Sequence, residues 1–570
     1  MPIVRYCTTF EATLNSLSGK RDRMTFETSL LQSRAQAMRA QGWWKDMTIN
    51  DCLAKVLAAT PDKTALVGHV QGGGGARRIT YRELDALAAQ AASNLRALGV
   101  GRGDVVSMQL PNVWQFVVTM LAVARIGAVA NPLMPILRER ELVYMLEFCE
   151  AKVLIVPANY RGHDHAAMAR GMLPKLPHLK RLVVVGEDGP DGFEEVLLSG
   201  SDREAPSLAD ALLEPDDVAL LMFSSGTTGA PKGVMHTSNT LLSTLFTSIE
   251  DLRLTPDDVV LAASPVGHLM GYAYLTTMPL ILGATVVLMD VWEVRAALEL
   301  MRSENVSYSS AATPFLSDLV GAVEAGDPGA PDFRLFGCAG APIPPVLIER
   351  AAKAMNLTVC SIWGMTEVVA GTLTQIERAS DLSATADGRA VRGVEVKVVD
   401  EDRQSAPVGT TGRLLFRGSS LFAGYLKRPD LNAVDAEGWF DTGDLAYVVN
   451  DEGYIRINGR SKDIIIRGGE NIPVFEIEAL LHRHPAVAAA AIVGYPDDRL
   501  GERACAFVVT KPGQTLDMDE LTRYMQTSQT AKQYWPEKLV ICDDLPKTAS
   551  GKVQKFKLRD RASELTSRPS

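Results

Sequence analysis

No two cysteines in this sequence stand in a CxxC pair, and the seven that occur (Cys7, Cys52, Cys149, Cys338, Cys360, Cys505 and Cys542) are scattered and odd in number. A disulfide framework and a zinc cluster are therefore excluded as organising principles, and a reduced, cytoplasmic setting is expected. Also missing is an uninterrupted run of about 20 apolar residues, the length that spans a bilayer. The nearest approach, YAYLTTMPLILGATVVLM at 272–289, is broken by Pro279 and an LGA turn, and reads as a buried helix followed by a Val-rich strand. The N-terminal MPIVRYCTTFEATLNS lacks the apolar core of a secretory signal. Positive charge is not in excess either. A formal net charge of −10 argues against a chain that works by wrapping nucleic acid, which leaves small-molecule chemistry.

What is present is enough apolar material for several cores: 570 residues, 46% of them hydrophobic, which calls for at least two domains. Between about residues 50 and 340, strand-like runs (DVVSMQL, AKVLIVP, RLVVVG, DVALLMF, ATVVLM, VSYSSAA) alternate with helical patterns such as TYRELDALAAQAASNLRALG. That alternation predicts β/α units around mostly parallel sheets, whose ligands sit at the carboxyl ends of the strands. After about residue 388, the short strands VEVKVVD, GRLLFRG and GYIRING predict a smaller β-rich subdomain. The helix pattern PVFEIEALLHRHP and the strands AVAAAAIVGYP and ERACAFVVT then predict a compact α+β domain of roughly 110 residues. Four glycines at 72–75 lie between two strand-like runs and read as a hairpin tip.

The stretch SSGTTGAPKG at 224–233 follows the apolar run DVALLMF. Glycines let backbone N–H groups converge on an anion, hydroxyls of Ser224, Ser225, Thr227 and Thr228 add donors, and Lys232 adds a mobile positive charge, so phosphate is the expected ligand. A helix is expected to begin between Thr237 and Asn239. The P-loop pattern G-x-x-x-x-G-K-[ST] fails, because Lys232 lies between Pro231 and Gly233, and GxSxG, HExxH and GxGxxG are absent.

SSGTTGAPKGVMHT resembles the phosphate-loop signature of the adenylate-forming superfamily, which includes acyl-CoA synthetases, firefly luciferase and peptide-synthetase adenylation domains. Further signatures follow in the family's order: GHLMGY (267–272), GCAGAP (337–342), WGMTE (363–367), GWFDTGD (438–444), GRSKDIIIRGGENI (459–472) and PKTASGK (546–552). The resemblance runs from about residue 50 to 560. It implies an α/β fold with a large N-terminal domain (1–459) of doubly wound β/α subdomains plus a small β-barrel-like subdomain. A smaller, mobile α+β C-terminal domain (460–570) completes it. The reaction implied is ATP-dependent activation of a small carboxylic acid, with ATP, Mg²⁺ and coenzyme A as the other participants.

Residue by residue, the resemblance assigns Ser224, Ser225, Gly226, Thr227, Thr228, Gly229 and Lys232 to the phosphates. Gly340, Ala341 and Pro342 go to the adenine side, Trp363 and Gly364 to the nucleotide site, and Trp363, which walls the adenine or the acyl group, stands where many relatives carry tyrosine. Thr366 and Glu367, on their own an ordinary helix-cap pair, become the nucleotide and magnesium site, a hard oxygen donor suiting Mg²⁺. Asp444, alone a turn aspartate, accepts from both ribose hydroxyls, and Arg460 reaches ribose and phosphate oxygens. Lys552, alone a solvated surface charge, enters the active site and stabilises charge in adenylation. Thr228, Glu367, His268 and Lys552 are the catalytic candidates, His268 at the border of the acyl pocket. Lys462 is the hinge, and Gly468, Gly469 and Glu470 lie by the coenzyme A channel, whereas Lys547 and Lys555 are expected to be structural. Whole-chain texture is similar to stand-alone medium-chain and cyclohexanecarboxylate CoA ligases, and Leu269, Met270 and Tyr272 suggest an apolar monocarboxylate, medium-chain, alicyclic or aromatic. The alternatives are an adenylation enzyme that loads a carrier protein and a non-catalytic nucleotide sensor. The pairs His163/His165 and His482/His484 have metal-like spacing but nothing to complete a site, and are expected at the surface.

Overall fold

The computed structural model describes residues 26–567 apart from 31, 70–75, 201–205, 225–230, 341–342, 461–464, 468–469, 473, 498–499, 529, 531 and 548–552. The chain forms two units, the first being Met1–Ser225, Ala230–Leu242 and Phe422–Asn432, and the second Gly226–Gly229, Ser243–Leu421 and Ala433–Ser570.

The first unit is built on a seven-stranded sheet. Its strands run in the order Gly424–Tyr425, Lys232–Thr237, Val218–Ser224, Val129–Pro132, Val105–Met108, Val153–Pro157 and Arg181–Val185. The last five are parallel, and Lys232–Thr237 runs antiparallel to both its neighbours. Near-continuous Val, Leu and Ile in the parallel strands reflect burial on both faces. The helix Trp114–Arg125 is buried on every side, and Tyr81–Ala97 begins at a capping box in which Thr80 and Glu83 each satisfy the other's backbone N–H. Strands Thr64–His69 and Arg77–Thr80 pair antiparallel, as a hairpin requires, while its glycine tip lies outside the described residues.

In the second unit, Thr358–Trp363, Leu335–Ala339, Tyr308–Ala311, Val259–Ala262 and Thr285–Met289 lie side by side in that order and are all parallel. Two short antiparallel strands, Thr372–Leu373 and Arg389–Ala390, extend the Thr358–Trp363 edge. The apolar run at 272–289 is a helix ending at Leu282, a left-handed Gly283 (φ 84°) and the strand Thr285–Met289. Among the described residues no helix is long and apolar enough to cross a membrane. The β-rich subdomain is a four-stranded antiparallel sheet in chain order: Val394–Val399, Gly412–Gly418, Phe440–Val448 and Ile455–Arg460.

Within the second unit, the elements from Ile465–Arg467 onward form a smaller α+β layer with its own sheet. Strands Glu470–Ile472, Ile465–Arg467, Gly501–Thr510 and Val487–Asp497 make its sheet, Lys538–Ile541 adds to Gly501–Thr510, and the helices Val474–Leu481, Met518–Thr527 and Lys555–Ser567 cover it. Period-two alternation splits its long strands between two cores. Ile492, Ala506 and Val508 meet Ile477, Leu481 and Met525, and Val493, Cys505 and Phe507 meet Leu558 and Ala562.

Candidate active site

Parallel strands bring three of the sequence signatures to one edge. The register aligns Val260, Tyr308, Leu335 and Thr358, so the carboxyl ends of four adjacent strands fall together. The segment carrying His268 follows Val259–Ala262, Gly340 follows Leu335–Ala339, and the WGMTE motif begins on the last residue of Thr358–Trp363. This is the edge at which an open parallel sheet binds ligands. Hydroxyls tie it together: Ser264 Oγ donates to Ser310 O at 3.0 Å, and Ser310 Oγ donates to Gly337 O at 2.8 Å. Gly340 holds φ 81°, a left-handed turn that frees the chain to leave the strand.

The loop from Trp363 to Gly371 is tightly constrained. Gly371 N–H donates to Trp363 O at 3.0 Å, and Val368 and Val369 N–H both donate to Met365 O. Side chains at two of its glycines are forbidden: a Cβ on Gly364 would strike Val369 O, and one on Gly371 would strike the Trp363 ring. Val369 takes φ 56°, a left-handed conformation that costs a β-branched residue energy. Ser420 Oγ anchors the far limb by donating to Val368 O at 2.7 Å. These restraints present Thr366 and Glu367 in the turn, with Glu367 buried.

Asp444 is held to this loop by one hydrogen bond and to a neighbouring strand by an ion pair. Trp363 Nε1–H donates to Asp444 Oδ2 at 2.9 Å, and Arg460 Nε lies 3.1 Å from Oδ1. A register shift between Asp444 and Ala446 marks a bulge in Phe440–Val448, a common device for re-aiming a side chain near a site. Asp444 N–H donates to Thr442 Oγ1 at 3.1 Å. Three sequence-predicted residues, Trp363, Asp444 and Arg460, are thus brought into contact.

In the first unit, Ser224 and Lys232 are register partners closing the strand pair that flanks the phosphate-loop signature. Lys232 Nζ lies 4.8 Å from the Tyr425 ring centroid, a cation–π contact that supports the ammonium near the strand end. The helix Ser238–Asp251 starts where expected. The intervening strand Lys232–Thr237 was not foreseen, because KGVMHT carries no alternation and five of its six residues are buried. Ser225, Gly226, Thr227, Thr228, Gly229, Ala341, Pro342, Lys462, Gly468, Gly469 and Lys552 lie outside the described residues. Glu470 opens the strand Glu470–Ile472 and is the register partner of Arg467.

His268 sits in a tight turn, its Nδ1 accepting Met270 N–H at 3.3 Å, beside buried Leu269 and Tyr272. Residues Met270–Thr277 are π-helical, with Thr276 and Thr277 hydroxyls donating to Gly271 O and Tyr272 O; nothing in the sequence distinguished this from an α-helix. The expectation that both histidine pairs lie at the surface is corrected for one member of each. His165 is fully buried, with ring nitrogens 3.0 Å from His163 O and 2.9 Å from Pro135 O, and buried His484 packs edge-on to Tyr524. Backbone groups provide the partners that burial demands: two carbonyls for His165, and for His484 the Ala486 N–H, which donates to its Nδ1 at 3.2 Å. Among the described residues no cluster of three metal-ligating His, Cys, Asp or Glu side chains occurs. Lys547 and Lys555 are paired with Asp544 (2.8 Å) and Glu478 (2.7 Å), consistent with structural roles.

A family model described as AMP-binding enzyme matches residues 53–426, and one described as AMP-binding enzyme C-terminal domain matches 476–552. The chain belongs to the AMP-binding enzyme family. Among similar AMP-binding enzymes, the medium-chain fatty-acid–CoA ligase of Escherichia coli (strain K12) is 36% identical over 532 residues, 93% of each chain. ATP-bound MatB from Rhodopseudomonas palustris superposes with a TM-score of 0.80 at 28% identity, over 91% of this chain and 100% of MatB. The anthranilate CoA ligase AuaEII in complex with anthranoyl-AMP gives 0.81 at 26% identity, over 92% and 98%. Like these AMP-binding enzymes the chain is an ATP-using, AMP-forming acyl-CoA synthetase, of mixed α/β fold with a large N-terminal and a smaller C-terminal domain.

Proposed function

We propose that this enzyme joins an apolar monocarboxylate, medium-chain or alicyclic, to coenzyme A through an acyl-adenylate. The observation that carries this choice is the likeness to a medium-chain fatty-acid–CoA ligase along 93% of both chains. Buried Leu269, Tyr272, Val368, Val369 and Ala370 beside the WGMTE and GHLMGY segments support an uncharged acyl group. An aromatic acid is the second reading, favoured by the similarity to the anthranilate ligase.

In the first step a substrate carboxylate oxygen attacks the α-phosphorus of ATP, a new O–P bond forms and the bond to pyrophosphate breaks. Ser224, Lys232 and the loop between them would grip the departing phosphates. Asp444 accepts from the ribose hydroxyls, with Arg460 beside it. The donor set fits Mg²⁺: Thr366 and Glu367 offer hard oxygens, and that ion prefers one or two carboxylates plus phosphate oxygens to an all-protein cage. When bound, it would neutralise triphosphate charge. Lys552 would stabilise charge developing on the α-phosphate. In the second step the thiolate of coenzyme A attacks the acyl carbon, the C–O bond to AMP breaks, and the thiol proton leaves to solvent. In this reading the domains meet at 459/460, and rotation about Lys462 would withdraw Lys552 and bring Gly468, Gly469 and Glu470 to the thiol channel.

The test is acid-dependent ATP–pyrophosphate exchange, followed by thioester formation with coenzyme A, across about a dozen acids of graded length and ring type. The expected result is highest kcat/KM on octanoate or cyclohexanecarboxylate. Highest kcat/KM on hydroxy- or aminobenzoates would replace this substrate by the second reading, and adenylation without thioester would point to a carrier-protein acceptor.

A further inference from the structure

We infer that Trp363 is a positioning residue, whose indole N–H fixes the Asp444 carboxylate so that its remaining lone pairs face the two ribose hydroxyls of ATP. This rests on the ribose assignment of Asp444 made above.

An ionised carboxylate is acceptor-only, with about four lone-pair positions on its two oxygens. Trp363 Nε1–H occupies one on Oδ2, at 2.9 Å, and Arg460 Nε stands 3.1 Å from Oδ1 as an ion-pair partner. Acceptor capacity is left on each oxygen, which matches a pair of vicinal hydroxyls. Because the two partners come from different elements and face different oxygens, the carboxylate plane cannot turn without losing one contact. Asp444 is only 6% exposed, so water is a poor substitute for either partner.

The donor is itself held. An indole N–H can only donate, and Trp363 is buried, so it needs this acceptor. Its ring rests directly on the Cα of Gly371, where any side chain would displace it. Pairing of Trp363 with Thr372 and the Gly371 N–H to Trp363 O bond set the height of the ring over that glycine. Trp363 is thus more than an aromatic wall: Gly371 seats the ring, and the ring orients the carboxylate.

The experiment compares ATP with 2′,3′-dideoxy-ATP in acid-dependent pyrophosphate exchange by the full-length enzyme. Trp363→Phe keeps an aromatic ring and removes the N–H. It is expected to raise KM for ATP about tenfold with kcat within about threefold, and to change KM for the dideoxy analogue less than about twofold. Gly371→Ala leaves the N–H in the chain but denies the ring its seat, and is expected to give the same selectivity by an independent route. Asp444→Asn serves as the reference for the ribose contact. If Asp444→Asn discriminates between the two nucleotides and Trp363→Phe does not, the positioning role is overturned while the ribose assignment stands. If Asp444→Asn affects both nucleotides alike, the ribose assignment falls and the inference with it.

Discussion

Arg460 and Asp444 are register partners on adjacent antiparallel strands, and Arg460 Nε stands 3.1 Å from Asp444 Oδ1. The carboxylate is the buried member: its side chain is 8% exposed, against 38% for the guanidinium. Removing the arginine leaves Trp363 as the remaining side-chain donor seen on that carboxylate. Breaking a fully buried pair costs about 3–5 kcal/mol, and partial exposure of Arg460 brings the expected loss down to about 1–2 kcal/mol. Arg460→Ala should lower kcat/KM for ATP by about 10- to 100-fold and lower the unfolding free energy modestly. Arg460→Lys keeps the charge without the planar fork and should fall between. Steady-state kinetics and urea unfolding check both; an unchanged kcat/KM in Arg460→Ala would remove the arginine from the nucleotide site.

The glycines of the WGMTE loop predict a different kind of loss. A Cβ at position 364 meets Val369 O, a backbone atom that cannot step aside as a flexible side chain would. Gly364→Ala must therefore move the turn carrying Thr366 and Glu367, and a displacement near 1 Å at reacting groups costs about 10²-fold in rate. Adenylation kcat should fall by about that factor. The outer strands of the sheet are untouched, so the cooperative melt should survive with a Tm lower by a few degrees. A variant that melts as wild type and retains full kcat would show that the loop tolerates the shift.

Why some of this was legible in sequence and some was not follows from distance along the chain. The alternation of Val-rich strands with amphipathic helices is a local pattern, so Val105–Met108, Val153–Pro157, Tyr81–Ala97 and their like were placed correctly. Site residues came from motifs, where residue type and spacing carry chemistry. The Trp363–Asp444 hydrogen bond joins residues 81 apart and depends on a bulge and on a ring seated over Gly371, none of which leaves a local trace. His165 was misplaced because histidine in a polar stretch usually meets water, whereas here two carbonyl oxygens receive its ring. The strand Lys232–Thr237 is buried on both faces, Val234 and Met235 alike, so it leaves no period-two trace in KGVMHT.

Thiol chemistry offers a check on burial throughout the molecule. Cys52, Cys149, Cys338, Cys360 and Cys505 are buried, and burial pushes each thiol up to about 12, whereas Cys542 is half-buried. At pH 8 only about 10⁻⁴ of a thiol with such a pKa is thiolate, the nucleophilic form. Iodoacetamide at pH 8 should therefore leave these five unlabelled in the native enzyme and label all of them in urea, as read by peptide mass spectrometry. The linkage has a definite sign. In the unfolded chain these thiols release protons near pH 8.5 and in the folded chain only near 12, so the unfolded state binds fewer protons in between. Their contribution to stability falls as pH rises from about 8.5 to 12. Rapid native labelling of Cys338 or Cys360 would contradict the packing of the strands Leu335–Ala339 and Thr358–Trp363.

The two half-reactions should separate at Lys552. Its neighbours in sequence are occupied elsewhere: Lys547 Nζ lies 2.8 Å from Asp544 Oδ1, and Lys555 Nζ lies 2.7 Å from Glu478 Oε1. Glu478 Oε1 also accepts Ile492 N–H at 2.6 Å, so Lys555 helps fasten the helix Lys555–Ser567 to the body of the C-terminal domain. Lys555→Ala should accordingly lower stability by about 1 kcal/mol and alter both half-reactions together. Lys552→Ala should instead lower adenylation about 10²- to 10³-fold, the scale of removing one preorganised charge from a developing oxyanion. Thioester formation from supplied acyl-AMP should stay within a few-fold of wild type, because the rotation proposed for that step withdraws Lys552 from the α-phosphate. Pyrophosphate exchange measures the first reaction, and single-turnover conversion of synthetic acyl-AMP with coenzyme A measures the second. Equal loss in both would mean that Lys552 serves the fold or both chemical steps, and the division of labour between the two conformations would have to be abandoned.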